Sequence, residues 1–411
     1  LLAVTHNLNF EGAPLFLFEY VVFLIKELGF KIDVVSAEEG PLRKAYEELG
    51  VNIILVDRHP LHGSRNDREF AQQLEVMRED LQSQIDLGPI DAFICNTLAC
   101  WWGVHLAQAV KKPSLFYIHE STSVKRFFSG ALPKKRHDVA RQAFRMATRV
   151  CFLCKATRSY YEELNDYNNF RFVSSWIDLP RIEKLKAATP RDEARAKLGY
   201  APHDQVIANI GTVCERTGQH VFIRTVAYFM KHFAANGSYR FLMVGGRPGE
   251  YQSSLEQDIK RLGLENVITI INETDRVYEY FRAANLFACS SFEESFPRVL
   301  LEALAFETPI VSTNVHGVPE MVTNKAEAYL VPPGEPIAFA KTIKTCLDKL
   351  LHGTSTVPMG YSKVVRAYGM DAVLPKHADL AREAVLDFDY NADRRKPHRL
   401  SGRGDAVESS W

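Results

Sequence analysis

The chain has 411 residues, with 50 Lys and Arg against 50 Asp and Glu, and is 46% apolar, 11% aromatic and 24% charged. That length exceeds one ordinary core and predicts two domains, while the apolar and charged fractions exclude disordered, collagen-like and disulfide-scaffold chains. A formal net charge of zero argues against nucleic acid as the main partner, because binding a phosphate backbone requires a basic excess.

Short apolar runs alternate with helical patterns from the start. The first series of strands is expected at residues 1–6, 31–36, 52–57, 91–96, 114–119 and 149–154. Their apolar runs are continuous rather than alternating, as in parallel strands covered on both faces. The opening LLAVTH already lies inside an apparent strand, with no signal-peptide pattern, so residues upstream are expected to be missing. The longest greasy stretch, residues 14–25, is interrupted by Glu19 and is too short to cross a bilayer. Seven cysteines are scattered, odd in number and mostly in apolar runs. That pattern indicates reduced, buried thiols, as in a cytoplasmic protein. Cys151-x-x-Cys154 has no second pair nearby and is read as strand residues rather than a zinc or redox site.

The rhythm breaks over 175–205, where a linker is expected near 178–190 and a short helix after it. A second series of strands is expected at 206–211, 241–246, 267–271, 286–291, 309–313 and 328–332. The fold class is therefore α/β, with two Rossmann-like domains at 1–180 and 181–370 and a C-terminal helix and polar tail at 371–411. Ligands of such sheets bind at the carboxyl ends of the strands, which makes an interdomain cleft the expected site.

The most informative stretch is SSFEESFPRVLLEALAFETPIVSTNVHGVPEMV, residues 290–322. A strand ends at Ser290 and Ser291, and a loop carries Glu293 and Glu294. A helix is expected to begin around residues 295–297, with Ser295 as cap, Pro297 in the first turn and Glu302 about two turns in. The free N–H groups of Ser295, Phe296 and Arg298 would form an anion site. Arg298 has the wrong sign for the start of a helix dipole, a conflict that a bound diphosphate would remove.

Glu294, seven intervening residues and Glu302, in the setting ESFPRVLLEALA followed by TPIVST and HGVPE, resemble the retaining nucleotide-sugar glycosyltransferases of family 4, which have the GT-B fold. The bare spacing is not distinctive, since Glu11, Glu19 and Glu27 repeat it; the strand–loop–helix setting is. The resemblance implies that Glu294 acts on the donor sugar, that Glu302 takes the ribose hydroxyls, and that the segment Ser295, Phe296, Pro297 and Arg298 holds diphosphate and sugar. It implies the same of other stretches. Gly12, in NLNFEGAP, would let the backbone approach the donor phosphates. His119, in PSLFYIHES beside Glu120, would contact the donor sugar or reaction centre. Arg216, in IGTVCERTGQH, would face the diphosphate, but Thr217 stands where lysine is typical, with either compensation by Arg298 or Arg247 or a weak donor affinity as the expected consequence.

The expectation is a hexosyltransferase that moves a sugar from a nucleoside diphosphate donor to a carbohydrate or lipid-linked acceptor, without metal or other cofactor and without a protein nucleophile. A catalytically weak GT-B module, binding sugar nucleotide or glycan within a larger polypeptide, is the alternative. A dinucleotide-dependent oxidoreductase is disfavoured, because the first strand is followed by only one glycine, and Gly245, Gly246 and Gly249 form no fingerprint. Asp387-Phe388-Asp389 and Arg403-Gly404-Asp405 are set aside as a metal site and an adhesion motif. Residues 121–150 carry eight Lys and Arg against one Asp, with Phe127 and Phe128 among them, whereas 251–340 carry six bases against thirteen acids. The basic stretch suits either peripheral contact with the inner face of a membrane or a solvated helix face beside a basic acceptor groove.

Overall fold

The computed structural model describes residues 1–390 apart from 235–236, 323–326 and 353–356. The tail motif Arg403-Gly404-Asp405 lies outside the described residues, as does the side chain of Asp389. Among the described residues, thirteen strands form two sheets. The first comprises β1 (Leu2–Thr5), β2 (Asp33–Ser36), β3 (Asn52–Leu55), β4 (Phe93–Asn96), β5 (Ser114–Ile118), β6 (Arg149–Phe152) and β7 (Phe170–Phe172), in the order β3-β2-β1-β4-β5-β6-β7. The second comprises β8 (Gln205–Ile210), β9 (Tyr239–Gly246), β10 (Ile268–Asn272), β11 (Leu286–Cys289), β12 (Ile310–Thr313) and β13 (Tyr329–Val331), in the order β10-β9-β8-β11-β12-β13. Every pairing is parallel.

The continuous apolar runs behave as parallel strands should. Along β4, Phe93 and Cys95 enter one core while Ile94 enters another, and along β5 Phe116 and Ile118 separate from Leu115 and Tyr117 in the same way. Successive side chains point to opposite faces, so both faces need cover and both have it. The second sheet divides its strands between two further cores likewise.

All twelve expected strands are present, and β7 is additional. Its three residues include Arg171, and only Phe170 is buried, which leaves too little apolar signal to mark a strand. The expected linker near 178–190 is instead the helix Leu179–Ala188, capped by the Asp178 carboxylate accepting from Arg181 N–H at 3.0 Å, with Ile182 fully buried beneath it. The charges that suggested a linker are the solvent face of that helix. The helix Met370–Tyr390 returns to the first sheet, where Val373, Leu374, Ala378, Ala381 and Ala384 complete the core of β1, β4 and β5. His377 fixes it there. Its Nδ1 accepts from Tyr117 Oη at 3.0 Å, its Nε2 lies 2.9 Å from Ser174 O, and its own carbonyl accepts from Tyr20 Oη at 2.8 Å.

Candidate active site

The carboxyl ends of the two sheets face each other, and the loops that leave β8, β11 and β12 are stitched into one unit. Phe292 N–H donates to Arg216 O at 2.8 Å, and Ser290 Oγ donates to Thr217 O at 3.0 Å. Gly218 sits between them at φ 68°, where a Cβ would come within 2.3 Å of Ser290 O, so glycine is required there by conformation and by space. Glu294 is held from several sides. Its carboxylate accepts from Ser291 Oγ at 2.7 Å and lies 3.4 Å from Arg216 Nη1. The same guanidinium donates to Glu293 O at 2.7 Å. The peptide N–H of Glu294 donates to His316 Nδ1 at 3.4 Å, and its carbonyl accepts from Gly317 N–H at 3.1 Å.

The helix after this loop runs Arg298–Ala305, with Pro297 at the cap position and no side-chain cap. Ser295 therefore does not cap it. Its buried Oγ accepts from Thr157 Oγ1 of the first domain at 3.0 Å. Phe296 is spent on packing, between the cores of both domains and 5.7 Å from the Tyr368 ring. Leu300 N–H already donates to Pro297 O at 3.0 Å, so the amides of Arg298 and Val299, which have no acceptor within the helix, are what remains of the expected anion site.

Arg298 is the clearest correction. Its guanidinium does not turn to the cleft for a diphosphate but pairs with both carboxylate oxygens of Glu19, at 2.9 and 3.0 Å, on the first-domain helix Gly12–Lys26. Trp176 Nε1 donates to the same carboxylate at 2.7 Å. The conflict with the helix dipole is thus met by a protein carboxylate. Glu302, one turn further on, accepts from Tyr278 Oη at 3.4 Å, and its pKa is raised by burial, against the pull of Arg298.

From the first domain, His119 follows directly on β5. Its Nε2 lies 2.8 Å from Asn96 Oδ1, and Asn96 Nδ2 donates to Ala13 O at 2.8 Å. The imidazole therefore donates from Nε2 and keeps Nδ1 as an acceptor. Desolvation first, then the charges of His6, His377 and Arg298, lower its pKa to about 3, so the ring is neutral at physiological pH. Glu120 beside it accepts from Leu98 N–H and His119 N–H, both at 3.0 Å. Burial pushes its carboxyl up to about 7, while those amides and the Arg216 charge pull it down. Gly12 opens the Gly12–Lys26 helix, and a Cβ added there would meet nothing within 4 Å. The protein itself imposes no need for glycine at that position, and the space in front of it is open.

Thr217 does not present a vacancy where a lysine would be. Its hydroxyl lies 2.8 Å from the carbonyls of Thr212 and Cys214 and from Gln219 Oε1, and accepts from Cys214 N–H at 3.3 Å, inside the loop. Both arginines expected to compensate are engaged by protein carboxylates, Arg298 with Glu19 and Arg247 with Glu11 at 3.0 Å and Glu273 at 2.6 Å. Arg216, with its side chain 47% exposed, is the cation placed beside Glu294 in the cleft.

The domains are tied across this region by further polar contacts. Glu320 accepts from Lys155 N–H at 2.9 Å and Ala156 N–H at 2.7 Å, His316 Nε2 meets Tyr160 Oη at 3.0 Å, and Arg126 pairs with Glu293 at 2.6 Å. A cavity of about 370 Å³ lies at the junction, with Thr122, Arg126 and Phe127 on one side and Arg216, Phe292 and Glu293 on the other. The basic stretch 121–150 is not an open cationic patch. Arg126, Arg136, Arg141, Arg145 and Arg149 are paired with Glu293, Asp67, Glu163, Asp166 and Asp387 respectively, and Phe128 is buried. Among the described residues no helix is long and apolar enough to cross a membrane, and no group of three or more His, Cys, Asp or Glu is placed to hold a metal.

Glu120 stands beside His119 at the cleft edge, as its place after an expected strand suggests, whereas Glu19, Tyr160, His316 and Glu320 enter the site without a role assigned by sequence. Glu19 carried a signal as one acid in an otherwise apolar helix that had to find a partner, and His316 and Glu320 lie in the HGVPE segment.

Comparison with known proteins adds three findings. Residues 190–351 match the family described as "Glycosyl transferases group 1". Within curated proteins, D-inositol 3-phosphate glycosyltransferase of Rhodococcus opacus is 29% identical over 219 residues, covering 52% of this chain and 45% of the relative. The Nocardia farcinica enzyme of the same name is 30% identical over 162 residues, covering 38% and 36%. The chain spans less than half the length of these two relatives. Among solved structures, Anabaena Alr3699/HepE in complex with UDP and glucose superposes with a TM-score of 0.72 at 20% identity, covering 92% of this chain and 98% of that one. Sucrose-phosphate synthase from Thermosynechococcus elongatus gives 0.76 at 18% identity, covering 94% and 98%. The two parallel-sheet domains thus form a GT-B fold, and residues 190–351 of it are similar to the group 1 glycosyl transferases.

Proposed function

We propose that the protein is a retaining glycosyltransferase that transfers a hexose from a nucleoside diphosphate sugar to a carbohydrate or lipid-linked acceptor in the cleft between its domains. The observation that carries this reading is the clamped Glu294, held by Ser291, Arg216 and the 316–317 turn beside the start of the Arg298–Ala305 helix. A fixed carboxylate accepts from sugar hydroxyls, and an adjacent guanidinium with free helix amides stabilises charge on a departing diphosphate. Neutral His119 supplies an acceptor for a sugar hydroxyl from the opposite wall. Glu302 would take the ribose. In the proposed step the anomeric C–O bond to the diphosphate breaks and the bond to the acceptor oxygen forms on the same face. The acceptor's proton passes to the leaving diphosphate. The work left to the protein is orientation and anion stabilisation.

UDP-glucose is the first donor to test, since the Anabaena neighbour is described in complex with it. The paired arginines of 121–150 remove most of the support for membrane docking there, and the mixed polar and aromatic cavity beside Glu293 is proposed instead as the acceptor's site. The proposal is tested by incubating the protein with UDP-, GDP- and ADP-hexoses and measuring nucleoside diphosphate release with and without saccharide acceptors. Release with at least one donor, lost in Glu294→Gln, is expected. Tight nucleotide binding with no release from any donor, whatever the acceptor, would favour a binding module instead.

A further inference from the structure

His316 stands at the first central position of a turn closed by Val318 N–H to Val315 O at 2.9 Å, and it has φ 39°. That is left-handed backbone, which strains a side-chain-bearing residue unless its surroundings compensate. The next residue, Gly317, is tolerated only as glycine, because a Cβ there would fall 1.7 Å from Ser295 O. A tight, strained turn is thus pressed against the backbone of the carboxylate loop. Both polar groups of the Glu294 peptide unit end on it, the N–H on His316 Nδ1 and the carbonyl on Gly317 N–H. The other ring nitrogen of His316 reaches Tyr160 Oη of the first domain at 3.0 Å, and the two rings lie 5.7 Å apart.

We infer that His316 is a positioning residue that couples domain closure to the placement of Glu294. The inference rests on the glycosyltransferase reading above. For Nδ1 to accept from the Glu294 N–H it must be unprotonated, so the ring carries its proton on Nε2 and donates to Tyr160. Domain separation removes the Tyr160 contact and frees the ring. Closure fixes the ring and, through it, the Glu294 backbone. Protonation of Nδ1 replaces the acceptor with a donor facing an N–H, which breaks the same link. The groups that bear on this titration are Glu293 and Glu294, which favour the imidazolium, and Arg126 and burial, which oppose it, with burial the largest influence and a lowered pKa the result.

The test uses His316→Gly, which suits the backbone, His316→Asn, whose side-chain oxygen can still accept, and Tyr160→Phe, which keeps the ring. The expected result for His316→Gly is a kcat reduced at least tenfold with donor KM within twofold and a thermal midpoint no lower than wild type. His316→Asn should recover part of kcat, and Tyr160→Phe should fall between. The acid limb of the wild-type kcat profile should shift or vanish in His316→Gly. Wild-type kcat in His316→Gly, or an equal loss of kcat and thermal midpoint in all three variants, overturns the inference while the function stands. Absence of turnover in the wild type overturns both.

Discussion

The ion pair between Glu19 and Arg298 gives the sharpest stability prediction, because it replaces a contact that the sequence assigned to the donor. The two side chains are 22% and 15% exposed, and Trp176 Nε1 donates to the same carboxylate. Removing one partner of a largely buried pair costs roughly 3–5 kcal/mol, since the other charge is left uncompensated. Partial exposure puts the expectation for Glu19→Gln at the lower end, about 3 kcal/mol. Arg298→Met should cost a similar amount, whereas the double variant should cost little more than either single change, a coupling of about 2–3 kcal/mol. The assay is denaturant unfolding without donor, followed by tryptophan fluorescence. If Arg298 were instead held in reserve for a diphosphate, Glu19→Gln would lie within about 0.5 kcal/mol of wild type, as surface substitutions do. That result would show that Glu19 does not hold Arg298 in the folded protein.

The remaining predictions follow from the same contacts. Thr217→Lys should not improve donor affinity. It should destabilise the loop by about 1–3 kcal/mol, because the hydrogen-bonded hydroxyl is lost from a buried position, and paired thermal-shift and nucleotide titrations would check both halves. For His119, the folded pKa of about 3 lies below the ordinary value of 6.5, so its neutral form is favoured by folding. Its contribution is fully present above pH 6.5 and is lost as pH falls toward 3. His119→Gln should therefore flatten the acid limb of stability by on the order of 1 kcal/mol per pH unit, and an unchanged limb would count against a buried neutral ring. Gly317→Ala should abolish both activity and cooperative unfolding if the turn must touch Ser295 O as observed. A folded, active Gly317→Ala protein would show that the turn can shift.

Much of the fold was legible because parallel strands buried on both faces write themselves as unbroken apolar runs, and the runs at 91–96, 114–119 and 286–291 each became a strand with alternate side chains in two cores. The helix Leu179–Ala188 was hidden by its solvent-facing charges, with Ile182 as its one fully buried residue. Side-chain partners were less legible than elements. Arg298 and Glu19 are 279 residues apart in sequence, and their pairing depends on how two domains meet. The same holds for His316 and Tyr160, 156 residues apart. By sequence Thr217 looks like a missing cation, because sequence shows what is absent from a position, whereas the structure shows its hydroxyl already engaged within the loop. The +7 of residues 121–150 was a correct count but a misleading patch, since its arginines are answered by acids from distant segments such as Glu293 and Asp67.

The proposed chemistry stands on the stereochemical outcome at the anomeric carbon. Proton NMR of the first-formed sugar product from UDP-α-glucose, or whichever α-linked donor is turned over, reads that outcome from the anomeric coupling constant before mutarotation. An α-configured product released together with nucleoside diphosphate is expected, and its loss in Glu294→Gln. A β-configured product, or undiminished turnover in Glu294→Gln, would contradict the proposed chemistry.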